Sequence, residues 1–173
     1  GDLVLINGSI GDHGIAVMSS RDNLHLATPV TSDSAALHTL VADMIATAPG
    51  IRCLRDPTRG GLAATLNELA QQSAVGFTLR EAAIPIKPAV KAACEIIGLD
   101  PLYVANEGKL ICICDPADGE RLLTAMKNHP LGRDAAIIGE GVEDPHNTVQ
   151  MQTVFNSHRI VGWLAAEPLP RIC

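Results

Sequence analysis

Aromatic residues are scarce: the chain has one Trp, one Tyr and two Phe in 173 residues. The stacking platforms that hold single-stranded nucleic acid are therefore almost missing. Lys and Arg form no cluster that would grip phosphates, and the formal net charge is −6. Nucleic-acid binding is set aside on both grounds. No run approaches the roughly 20 consecutive apolar residues of a membrane span. The first residues carry neither a basic region nor a long apolar segment with a cleavage signal, so a soluble, cytoplasmic protein without membrane contact is expected. The five cysteines, at 53, 94, 112, 114 and 173, include no CxxC pair. Cys112 and Cys114 point to one face of a strand, with no second pair to complete a zinc site. Reduced thiols and no metal centre follow. The chain also lacks an initiator Met, and Gly1-Asp2 runs straight into apolar Leu3–Ile6, which reads as a piece of a longer protein.

What is present suits one folded domain. Hydrophobic residues make up 47% of the chain, and with so few aromatics the core must be built from Ala, Val, Leu and Ile. Apolar patterning predicts a strand over 3–6, then a glycine-punctuated loop opening toward a helix near 15–18. Leu37, Leu40, Val41, Met44 and Ile45 recur at helical spacing, predicting a helix over 34–48 with Asp33 as its N-terminal cap and Pro49-Gly50 as its stop. Further strands are predicted over 51–54, 77–79, 110–114, 135–142, 149–155 and 160–164. Helices are predicted over 62–72, from Pro88 to Ile97 before Gly98, and from Pro116 to Asn128 before Pro130. Residues 110–114 are apolar on both faces and read as an interior strand. Strands and helices alternate irregularly, which argues for an α+β domain, a mixed sheet covered by helices, over residues 1–163. Residues 164–173 carry Pro168 and Pro170 and are expected to form an extended, flexible C-terminal tail.

Three polar, glycine-rich segments interrupt this pattern, each beside a predicted strand: Gly8-Ser9-Ile10-Gly11-Asp12-His13-Gly14, Asp56-Pro57-Thr58-Arg59-Gly60-Gly61 and Asn106-Glu107-Gly108-Lys109. Loops at strand ends present side chains and backbone donors from a rigid base. Taken singly, Asp12, Asp56 and Asn106 also suit ordinary turns and caps. His13 is the one histidine of six inside such a loop, placed either to move protons or to bond a neighbouring carbonyl. Arg59 precedes Gly60-Gly61 at a predicted helix N-terminus, where free N–H groups favour anions such as phosphate. Cys173 is the final residue. A thiolate is a nucleophile, Arg171 beside it favours that form and the terminal carboxylate opposes it, so composition alone leaves a reactive and an inert cysteine both open.

The ending Pro170-Arg171-Ile172-Cys173 resembles the C-terminal signature of the HypE family of hydrogenase-maturation carbamoyl dehydratases, and the three glycine segments resemble that family's segments in the same order at compatible spacing. The wider superfamily includes aminoimidazole ribonucleotide synthetase and selenophosphate synthetase, ATP enzymes with an N-terminal nucleotide-binding half and a C-terminal α+β half of partly ferredoxin-like topology. This chain resembles the second half alone. The resemblance implies that a HypF-like carbamoyltransferase loads a carbamoyl group onto the Cys173 sulfur. ATP then drives its dehydration to a thiocyanate, and cyanide passes to the iron of a nickel-iron hydrogenase through a HypC-HypD-like scaffold complex. Such chemistry requires a base. Glu107 is the candidate, a carboxylate held in a glycine loop beside an apolar strand, with Lys109 as its partner or as a phosphate contact. Asp12, His13, Asp56, Thr58, Arg59 and Asn106 are supporting candidates, and Pro170, Arg171 and Ile172 carry Cys173.

The resemblance further implies that ATP and Mg2+ are bound mainly by an N-terminal half that this chain lacks. No GxxxxGK[ST] replaces it, so the 173 residues alone are expected to be inactive. A homodimer is also implied. A synthetase half of the same superfamily does not account for the Pro-Arg-Ile-Cys ending. A non-catalytic docking domain differs in one respect: it would tolerate serine at position 173.

Overall fold

The computed structural model describes residues 1–21 and 29–163. In chain order the elements are β1 (Leu3–Ile6), α1 (Asp12–Arg21), α2 (His38–Thr47), β2 (Ile51–Arg55), α3 (Gly61–Ser73), β3 (Gly76–Arg80), α4 (Pro88–Ile97), β4 (Ile111–Cys114), α5 (Pro116–Asn128), β5 (Ala136–Val142), β6 (Val149–Gln152) and β7 (His158–Ile160), with short 3-10 turns at Glu81–Ala83, Pro101–Tyr103 and Pro130–Gly132. The strands form one seven-stranded sheet in the order β2-β4-β1-β5-β3-β6-β7. All its pairings are antiparallel except β3 with β6. The sheet is thus mixed and helix-covered, and the fold is α+β.

Alternation along the strands separates two cores. Val4, Ile6, Ile111 and Ile113 face α3, packing with Leu62, Leu66, Phe77 and Leu79. Leu5, Cys112 and Cys114, offset by one residue, face α2 and α5 and meet Leu40, Met44, Leu122 and Met126. A third cluster, Ile15, Val90, Ala93, Cys94 and Val104, joins α1 to α4. β4 is buried at all four positions and lies between β2 and β1, as its two-faced apolarity predicts.

Helix punctuation explains the well-placed elements. α5 opens with the Asp115 carboxylate accepting from the Ala117 amide and with Pro at its first position. α4 begins at Pro88 and ends on Gly98 in the left-handed region at φ 71°. Four expectations are corrected. The second helix starts at His38 rather than 34, and Leu37 precedes it without a side-chain cap. Asp33 does not cap it, because its carboxylate is engaged elsewhere. The strand expected over 149–155 stops at Gln152, where the Thr153 amide donates to Ser157 O and Asn156 takes φ 60° in a tight reversal. The last strand is His158–Ile160 instead of 160–164, because Val161 turns inward to full burial.

Candidate active site

The three glycine segments, far apart in sequence, meet at one buried side chain. Asn106 is fully buried. Its Oδ1 accepts from the Gly11 amide at 2.8 Å, and its Nδ2 donates to Pro57 O at 2.9 Å and Val104 O at 3.0 Å. One carboxamide therefore satisfies groups from the first loop, the second loop and its own loop. Close packing completes the junction: a Cβ on Gly61, which has φ 63°, would stand 2.6 Å from Leu102 O and 2.7 Å from Val104 O. Only glycine lets the start of α3 approach that backbone.

Beneath the first loop, Asp12 opens α1 with a side chain only 1% exposed. Its Oδ2 accepts from Ser9 Oγ at 2.6 Å. Its Oδ1 lies 2.9 Å from Lys87 Nζ, an ion pair at a distance suitable for bonding but without hydrogen-bond alignment. The Ile10 amide donates to Pro85 O, so the residues ahead of α4 hold this loop from the other side. His13 contacts Ser32 Oγ through Nδ1 at 2.8 Å.

The third loop is held by Asp33. Its Oδ1 accepts from the Glu107 amide at 3.2 Å, and its Oδ2 pairs with Lys109 Nζ at 3.1 Å, with side-chain exposures of 3% and 12%. This contact is why Asp33 is not a helix cap. Gly108 lies flat against the same segment, and a Cβ there would overlap the Asp33 carbonyl oxygen. Lys109 leans over Gly8, its Cε 3.3 Å from where a Cβ would stand. Asn7, also buried, locks the loop to β1: Nδ2 donates to Gly108 O at 3.2 Å and Leu131 O at 2.9 Å, while Oδ1 accepts from the Leu110 amide at 2.8 Å.

The second loop contributes mainly backbone. Asp56 is exposed and only 3.8 Å from Arg55 Nε, Thr58 O accepts the Gly61 amide, and Thr58 is half-buried. Arg59 is exposed, has no ion pair among the described residues, and stands at the start of α3, which has no side-chain cap. Its guanidinium and the open N–H groups suit an anionic ligand. Thus Asn106, Asp12 and Lys109 belong to one buried polar knot, with Glu107 at its half-exposed margin, whereas the Asp56 side chain stands apart. Sequence reasoning missed Lys87, Asn7 and Ser9, and gave Asp33 the wrong role. A buried Asp12 demands a counter-charge, yet nothing in the sequence singles out Lys87 among 13 Lys and Arg.

Cys173, Pro170, Arg171 and Ile172, together with the tail call over 164–173, lie outside the described residues. Three buried thiols, Cys94, Cys112 and Cys114, are poor nucleophiles. Burial pushes Cys112 up to about 12 and Cys114 to about 11, with further contributions from neighbouring thiols or carboxylates, and burial with Asp100 and Glu95 raises Cys94 to about 11. Among the described residues no group of three or more His, Cys, Asp or Glu is placed to hold a metal ion, and no helix is long and apolar enough to cross a membrane. An open groove lined by Asp43, Thr47, Glu120 and Arg121 lies along α2 and α5 and contains none of the candidate residues.

Comparison with known proteins places this geometry. The family described as AIR synthase related protein, C-terminal domain, matches residues 1–152. The carbamoyl dehydratase HypE of Cupriavidus necator is 60% identical over all 173 residues, which span 49% of its length. A crystal structure described as a HypE-HypF complex superposes at TM-score 0.91 with 44% identity, covering 95% of this chain and 53% of that one. Another, HypE in complex with ATP, superposes at 0.92 with 42% identity, covering 97% and 52%. The chain spans about half the length of the curated relatives it matches.

Proposed function

Since this chain belongs to the AIR synthase related family as a HypE-type C-terminal domain, we propose that it is one half of an ATP-dependent carbamoyl dehydratase of hydrogenase maturation, with Cys173 as the carrier. The observation that carries this reading is the convergence of the three polar loops on Asn106, which sets Glu107 at the margin of a buried knot that includes Lys109. Rigidity matters because a base acts only at a fixed distance from the proton it removes.

In this mechanism the Cys173 sulfur holds a carbamoyl group received from a HypF-like carbamoyltransferase. The carbamoyl oxygen takes the γ-phosphoryl group of ATP. Departure of phosphate and loss of the two N–H protons leave S–C≡N, so sulfur keeps its bond to carbon throughout. Glu107 takes a proton from nitrogen. Lys109 is held by Asp33 and keeps the Glu107 backbone in place, since Asp33 also binds the Glu107 amide. His13, at the mouth of the first loop, supports proton transfer. Arg59 and the start of α3 receive phosphate oxygens. The donor set does not fit Mg2+, because the buried carboxylates Asp12 and Asp33 are each already matched by an ammonium; the other half of the enzyme is assigned the metal and most of the nucleotide. Cyanide leaves to a HypC-HypD-like iron scaffold. The working protein in this reading is a cytoplasmic homodimer of two-domain chains, with residues 1–163 as the C-terminal domain and 164–173 as the segment that carries Cys173.

The test is mass spectrometry of the C-terminal peptide of the two-domain protein supplied with carbamoyl phosphate, ATP and the carbamoyltransferase. A carbamoyl adduct on Cys173 that then loses water is expected. Glu107→Gln should accumulate the adduct without water loss. An unmodified peptide beside a competent control, or full function of Cys173→Ser, would replace the carrier with a docking role.

A further inference from the structure

Residues 158–163 lead directly into the segment that bears Cys173, and the structure fastens them to the fold at Arg159, Val161 and Gly162. Arg159 pairs with Asp100 at 2.6 Å. Val161 is fully buried; its amide donates to Val149 O at 2.8 Å and its carbonyl accepts from the buried Asn67 Nδ2 at 2.8 Å. The Gly162 carbonyl accepts from the Tyr103 hydroxyl at 3.0 Å. Burial and the charge of Asp100 raise the Tyr103 phenol, so it remains a donor through neutral pH.

The anchors Asp100 and Tyr103 belong to the same short segment as the loop staple. Asp100 caps the Pro101–Tyr103 turn with Oδ1, bonding the Leu102 amide at 2.9 Å, and holds Arg159 with Oδ2. Val104 and Ala105 continue from that turn, their carbonyls accepting from Asn106 Nδ2 and the Gly14 amide, and then comes Asn106 itself. One stiff stretch, residues 100–106, therefore grips both the point where the C-terminal segment leaves the fold and the junction of the three loops.

We infer that Tyr103 and Asp100 are positioning residues that register the root of the C-terminal segment against the Asn106-Glu107 loop, setting how often Cys173 presents its thiocarbamate there. This rests on the carrier reading given above. From Gly162 the remaining chain reaches at most roughly 36–40 Å when extended. Within that reach the local concentration of a tethered group depends on where the tether is fixed and on its free length.

The experiment is single-turnover conversion of S-carbamoyl Cys173 to thiocyanate in the two-domain protein, comparing wild type with Tyr103→Phe and with Asp100→Asn, alongside hydrogen exchange of the 161–163 and 11–14 amides and the KM for ATP. The expected result is conversion slowed by about two- to fivefold, faster exchange at 161–163, and unchanged exchange at 11–14 with unchanged KM. Tyr103→Phe keeps the ring in the core, so folding is preserved. Unchanged conversion despite faster exchange at 161–163 overturns the inference and leaves the carrier reading standing. Raised KM or loosened 11–14 amides overturn it too, because Tyr103 would then shape the site rather than the root of the C-terminal segment. If wild type itself makes no thiocyanate from a carbamoylated Cys173, the carrier reading falls and takes this inference with it.

Discussion

The Gly11 amide and the Asn106 side chain meet at 2.8 Å across 95 residues of sequence, and the same carboxamide reaches back to Pro57. Removing it orphans buried backbone groups, which costs about 1–3 kcal/mol for each group left unpaired. Asn106→Ala is therefore expected to lower the urea midpoint of unfolding substantially. Asn106→Asp should also destabilise, because it keeps the acceptor for Gly11 while losing both donated bonds and burying a charge. Equilibrium denaturation of the two variants against wild type checks this.

Two glycines with different reasons for being glycine should respond differently to alanine. At Gly98 a Cβ meets nothing within 4 Å, and only the left-handed φ of 71° penalises it, so Gly98→Ala should cost about 1 kcal/mol. At Gly108 a Cβ would overlap the Asp33 carbonyl oxygen, which is backbone and cannot swing aside. Gly108→Ala should cost more, about 1–3 kcal/mol or above, and should loosen the Lys109–Asp33 pair as well. Thermal midpoints, with hydrogen exchange at the Glu107 amide, separate the two cases.

The Lys109–Asp33 pair is nearly buried, so one partner without the other is worse than neither. Lys109→Met or Asp33→Asn alone is expected to destabilise by about 3–5 kcal/mol, with the double variant Lys109→Met/Asp33→Asn regaining part of that loss. Asp33→Asn should be the milder of the singles, since its side-chain oxygen still accepts from the Glu107 amide. A double-mutant cycle by urea denaturation measures the coupling.

The buried thiols give a pH prediction whose sign follows from linkage. Cys94, Cys112 and Cys114 are all raised in the folded protein, to about 11, 12 and 11 from an ordinary value of 9.0. Unfolded thiols therefore release protons first as pH climbs. Stability they contribute is complete below pH 9 and is lost progressively between 9 and about 12. Cys112→Ala should flatten the alkaline arm of a stability-pH curve while lowering stability at pH 7 through the lost packing. At pH 8 these three cysteines should resist iodoacetamide in the native chain and label fully in urea, as read by peptide mass spectrometry.

Elements with chemical punctuation at both ends were legible before any coordinates. α4 sits between Pro88 and Gly98, and α5 between Asp115-Pro116 and His129-Pro130, because their boundaries are set by neighbours in sequence. Boundaries set by tertiary contact were not. Asp33 has the right residue type to cap a helix, but Lys109 and the Glu107 amide, 74 or more residues away, claim its carboxylate. The last strand shifted because Asn67 draws Val161 into the core, a pull with no local trace. At the site, glycine-rich loops beside strands pointed to Asp12, Asn106 and Lys109, and the fold gathers the three into one buried polar knot. Lys87 and Asn7 escaped because their importance lies in whom they meet.

The position of β1 also has a consequence in time. Of the sheet's seven strands it is the first to be made, yet its partners are Ile111–Cys114 on one side and Ala136–Glu140 on the other. Roughly 100 residues must be translated before either neighbour exists, several seconds at ordinary elongation rates. Throughout that interval Leu3–Ile6 is an unpaired apolar strand with both edges open, and the sheet closes only after β5 is made. Folding of this domain is therefore a late, collective event in its synthesis, and a nascent chain stalled before residue 136 is expected to need chaperone protection.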